Sequence, residues 1–88
     1  MTLTRFWFEF DLTIDDPHPI GVLIGCGVTA QNYEDAIMLL EQRVFTQDPL
    51  PTITRVVENV DISTLDANHV LPNMRIPIER GIWYPIGY

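Results

Sequence analysis

Residues 3–12, LTRFWFEFDL, alternate with period two. Phe6, Phe8, Phe10 and Leu12 fall on one face, and Arg5, Trp7, Glu9 and Asp11 fall on the other. Bulky aromatics in alternation predict a β-strand with one buried face. Asp15-Asp16-Pro17-His18-Pro19 then breaks the pattern, because two prolines cannot continue a ladder. Residues 20–28, IGVLIGCGV, are an apolar run that predicts a second strand, antiparallel to the first. Glycines at 21, 25 and 27 leave room for a bulge.

The period changes at Asn32. Tyr33, Ala36, Ile37, Leu40 and Val44 fall at i, i+3, i+4, i+7 and i+11, one face of a helix. Asn32 suits an N-cap, and Asp35 three residues later approaches a capping box. Glu34 and Asp35 also suit the positive end of the helix dipole. Pro49 and Pro51 put the helix end near residue 47. Residues 52–62, TITRVVENVDI, are rich in β-branched side chains and predict a third strand. Adjacent Val56 and Val57 there call for a bulge or for burial on both faces. Ser63-Thr64-Leu65-Asp66 has a capping-box pattern that would start a short helical turn. The rest of 63–79 has no period. Residues 81–87, GIWYPIG, predict a last strand, confined to an edge or a strand end by Pro85.

The predicted order is β-β-α-β-(long loop)-β in a single domain spanning 1–88. This is an α+β fold, a two-layer sandwich. Its sheet is four-stranded and mainly antiparallel, with one long helix across one face. Phe6, Phe8 and Phe10 would meet Tyr33, Ile37, Leu40 and Val44 in the core, with Phe8 against Ile37 and Leu40. Trp7 and Trp83 would project from the other face, with Trp83 opposite to Ile82 and Tyr84. Two tryptophans on an open sheet face form a patch that monomers seldom leave bare. The long loop, a second copy in a homodimer, or a protein partner would cover it.

Composition narrows the function classes. The chain has 88 residues, 47% of them hydrophobic and 19% charged, which marks a globular domain. No apolar run approaches the roughly 20 residues of a membrane helix. No secretory signal pattern opens the chain. Cys26 is the only cysteine, which rules out an internal disulfide and fits a reducing, cytoplasmic setting. The net charge is −7, there is no lysine, and eight of the twelve acids lie in the first 48 residues. Such a surface repels a nucleic-acid backbone and attracts a basic protein partner.

Gly25-Cys26-Gly27-Val28-Thr29-Ala30 matches the G-x-G-x-x-A pattern of dinucleotide sites. In those sites the helix begins at the glycines, whereas here the cap signal lies downstream at Asn32. Asp48-Pro49 stands about 20 residues on, where a ribose-binding acid should end a strand. No cofactor is therefore expected, and the glycines read as a bulge or a close helix–strand contact. His18, Cys26 and His69 lack the short spacing of a metal signature, so no metal is expected either. Cys26 in an apolar strand reads as a small buried hydrophobe. His69 reads as a loop imidazole bonded to a backbone carbonyl. Ser63, the only serine, is accounted for by capping, and no catalytic residue is expected.

The long loop is the best candidate for function, because compact domains seldom keep such a stretch without a use. Arg75 and Arg80 bring positive charge there, and Trp83 and Tyr84 follow. Arginine beside large aromatics is the composition of interface anchors. The interface candidates are Trp7, His69, Arg75, Arg80, Trp83 and Tyr84. The leading expectation is a non-enzymatic protein-binding module. The alternative is a small enzyme or ligand-binding protein that uses the Gly25–Gly27 turn with Cys26 or His69.

RFWFEFD, GCGVTAQNYEDAI, VVENVDISTLDANHVLPNM and RGIWYPIGY together resemble a group of small hypothetical bacterial proteins. The resemblance spans nearly the whole chain and implies no activity, cofactor or catalytic residue. In size, acidity and fold type the chain is also similar to immunity proteins of bacterial toxin systems. That likeness implies an inhibitor-like role against a basic partner.

Overall fold

The computed structural model describes residues 2–88. Strands β1 (Thr4–Phe10), β2 (Cys26–Ala30), β3 (Ile53–Glu58) and β4 (Gly81–Tyr84) form one sheet in the order β3-β1-β2-β4. Every neighbouring pair is antiparallel. Helix α1 (Tyr33–Arg43) packs on one face. The fold is α+β with a single helix, as the hydrophobic pattern predicts.

The helix begins where its cap chemistry dictates. Asn32 Oδ1 accepts a hydrogen bond from the Asp35 amide at 2.8 Å. Asp35 Oδ2 reaches back to accept from the Gln31 amide at 3.0 Å, one residue ahead of the usual capping-box partner. The helix stops at Arg43, short of the expected residue 47. The Phe45 amide turns back to the Leu40 carbonyl, and the Phe45 ring packs edge-on against Phe10. Burying that ring ends the helix before the prolines do.

Two strand boundaries also differ from expectation. The second strand occupies only 26–30, because residues 20–23 form a turn. Gly21, within that turn, has φ 89°, far from the extended backbone of a strand. β3 ends at Glu58, where Asn59 adopts the left-handed conformation with φ 54°.

Side chains on the two faces of the sheet build two separate cores. The helix-side core contains Phe6, Phe8, Cys26, Val28, Ala36, Leu39, Leu40 and Ile82, with Ile37 packed against it. Phe8 is fully buried there, in the cluster that includes Leu40 and Ile37, and its ring also tilts against Tyr33. The opposite core contains Trp7, Val60, Val70, Trp83 and Tyr84, with Val57, Ile62, Leu65 and Met74 packed against it. Val56 joins the first core and Val57 the second, so their adjacency reflects burial on both faces. The long loop is therefore the cover of the second face and makes a third layer.

That loop is held by short polar staples in place of a ladder. Asp61 caps a 3₁₀ turn at Ile62–Thr64, accepting from the Ser63 amide and hydroxyl at 3.0 and 2.7 Å. Ser63 thus donates to a cap and does not supply one, which corrects the expected capping box. Asp66 caps the next turn through the amides of Asn68 and His69. Thr29 Oγ1, buried on β2, donates to the Pro77 carbonyl. The Arg75 amide donates to the Trp83 carbonyl at 2.7 Å, and the Ile86 amide to the Asn73 carbonyl at 3.2 Å. The last three bonds tie the loop to β2, to β4 and to the residues after β4.

Candidate interaction surface

The G-x-G stretch is packed from within. A Cβ at Gly25 would come within 2.7 Å of the Trp7 ring, and one at Gly27 would run into the Trp83 ring. The glycines make space for two tryptophans on the loop-covered face. Between Gly27 and Val28 the β2–β4 register shifts, so that Gly27 pairs with Tyr84 and Val28 with Ile82. The bulge falls at Trp83 and re-aims the strand. Trp83 and Tyr84 consequently both enter the second core, and Tyr84 is not on the Ile82 face where strict alternation puts it.

Cys26 and His69 do not meet. Cys26 is buried in the helix-side core, and burial pushes its thiol pKa far up, away from the reactive thiolate. His69 is exposed on the loop covering the other face. Its Nδ1 lies 3.2 Å from Asp66 Oδ2, and its own carbonyl accepts from Asn73 Nδ2, so the imidazole meets a carboxylate in place of the expected backbone carbonyl. Among the described residues no group of histidine, cysteine, aspartate and glutamate is arranged to hold a metal ion.

The interface candidates divide by burial. Trp7 is 3% exposed, Trp83 1% and Tyr84 4%, and the Trp7 ring packs at a tilt against both of the others. They anchor the loop, which corrects their reading as surface anchors. His69, Arg75 and Arg80 are exposed. Arg80 is engaged within the chain: its Nε donates to Asp35 Oδ2 at 2.9 Å and its Nη2 to Oδ1 at 2.5 Å. This two-pronged bond joins the start of α1 to the start of β4. It holds the Asp35 carboxyl well below the usual carboxylate range, at about 2, helped by the Gln31 amide.

Arg75 belongs to a cleft that sequence spacing did not reveal. An open cleft of about 450 Å³ runs beside β4, lined among others by Arg43, Arg75, Ile76, Glu79, Arg80 and Ile86. Three of the five arginines of the chain lie there. Arg43 reaches it from the last turn of α1, over Gly81. Neither the Arg43 nor the Arg75 side chain has an ion-pair or hydrogen-bond partner among the described residues. A second hollow of about 490 Å³ adjoins it, sharing Ile86 and Tyr88 and adding Ile20 and Pro85. Ile20, Ile76 and Ile86 are 87%, 70% and 55% exposed. Apolar side chains this open, grouped beside arginines, differ from the scattered exposed hydrophobics of an ordinary surface.

No protein-family model, no curated protein and no solved structure matches the chain. No helix among the described residues is long and apolar enough to cross a membrane.

Proposed function

We propose that this chain is a non-enzymatic protein-binding module whose contact surface lies along β4. The observation that carries the reading is the grouping of Ile20, Ile76 and Ile86 with Arg43 and Arg75 around two adjoining hollows. Large apolar side chains with arginines, on an otherwise well-packed domain, are the makings of an interface core and rim. The nucleophile candidate supports the same reading by its burial: Cys26 has no access to a substrate.

The test is affinity purification of the tagged chain from the cells that make it, beside an Ile76→Asp/Ile86→Asp variant. Both side chains are exposed, so the variant keeps the fold. Recovery of one protein in fixed ratio with the native chain, lost with the variant, is expected. Equal recovery with both, or none with the native chain, contradicts the proposal.

A second reading places a basic partner on the acidic half, as in an immunity-like inhibitor acting in the cytoplasm. Its support is the exposed loop bearing Asp11, Asp15 and Asp16 around Ile14, which is 78% exposed. Opposite charge would steer such a partner to the loop.

A further inference from the structure

Resting on the module reading, we infer that the β4 cleft takes a partner segment that combines carboxylates with large apolar side chains. The charge of the cleft carries this. The chain as a whole is −7, yet the groups lining the cleft are Arg43, Arg75 and Arg80 against Glu79 alone. Arg80 is neutralised by Asp35, which leaves Arg43 and Arg75 to face the occupant. A guanidinium fork matches a carboxylate with two parallel hydrogen bonds, and it tolerates partial desolvation better than an ammonium. A basic segment would instead set its cations against two arginines that have no ion-pair partner and outnumber the one acid, Glu79, in the lining.

The apolar part follows from Ile76 and Ile86, which flank the cleft, and Ile20 in the hollow beside it. Side chains of the occupant would carry the binding, and strand addition would contribute little. β4 is an edge strand, but the Arg75 amide already takes the Trp83 carbonyl, and this closes the edge to a new ladder at that point.

The experiment selects a phage-displayed library of random dodecapeptides on the native chain and sequences the survivors. Enriched peptides are expected to combine Asp or Glu with Leu, Ile, Phe or Trp. Their affinity should fall at least about tenfold in an Arg43→Ala/Arg75→Ala variant, the scale of two lost charge-assisted bonds. Arg55→Ala, on the far edge strand, should leave it within about twofold. Enrichment of Lys- and Arg-rich peptides overturns the inference, as does binding that survives the double substitution, or no enrichment at all. The affinity-purification result is independent of these outcomes. A captured partner that contacts Ile76 and Ile86 through basic residues would keep the module and discard the acidic segment.

Discussion

The indole of Trp83 lies flat over Gly27, on the space that any Cβ at position 27 would fill. Trp83 is 1% exposed, so it has no room to swing away. Gly27→Ala should therefore cost about 1–3 kcal/mol, as overpacking in a rigid core does. Trp83→Ala should cost about 3–5 kcal/mol. The two losses should not add: once the indole is gone, the three atoms nearest to a methyl at position 27 are gone with it, and the second substitution becomes much less costly. A double-mutant cycle in urea reads this directly. Additive losses would mean that Gly27 is required for its backbone and not for the ring.

This pair also marks where sequence reasoning ran out. The alternation of Phe6, Phe8 and Phe10, the Asn32 cap and the β-branched run before Glu58 are local signals, and each appears in the structure where its chemistry puts it. The bulge at Trp83 is not local. It depends on which residue of β2 lies opposite, and period-two reasoning assumes unbroken pairing. The cleft was hidden for the same reason. Arg43 ends a helix, Arg75 and Ile76 sit in an aperiodic loop, and Ile86 follows the last strand. Only the sheet order brings them together. A faint signal existed in Ile76, Ile78 and Ile86, apolar side chains standing directly beside prolines with no periodic partner.

The tryptophans offer a check on the third layer. With Trp7 and Trp83 both buried, native fluorescence should be blue-shifted and resist acrylamide, and this should hold at high dilution. Trp7 should also respond to its neighbour, because its Nε1 donates to Glu9 Oε2 at 2.9 Å. Red-shifted, easily quenched emission from dilute protein would show that the loop does not close over the sheet by itself.

Cys26 should label slowly. Its side chain is fully buried and its thiol is held protonated by that burial. A thiol reagent added to native protein is expected to react at the rate of opening, and fast only in denaturant. Rapid native labelling would return Cys26 to the list of chemical candidates.

The Asp35–Arg80 bond carries a pH signature. The folded Asp35 pKa is lowered from 3.8 to about 2, so its contribution to stability is fully present above the unfolded value. That contribution is lost as pH falls from there through about 2. Arg80→Gln should raise the Asp35 pKa toward the ordinary carboxylate value and weaken the acid dependence. Carboxyl titration by NMR measures it. An unchanged pKa in the variant would assign the effect to the Gln31 amide and the helix terminus.

The central claim, that this chain meets another protein along β4, is tested most directly by a photo-crosslinking side chain placed at single positions in living cells. Ile76 and Ile86 lie on the proposed surface, and Thr54 is exposed on β3 at the opposite edge of the sheet. Irradiation should give one discrete adduct from positions 76 and 86 and none from 54. No adduct at 76 and 86, or the same adduct at 54, would contradict the claim.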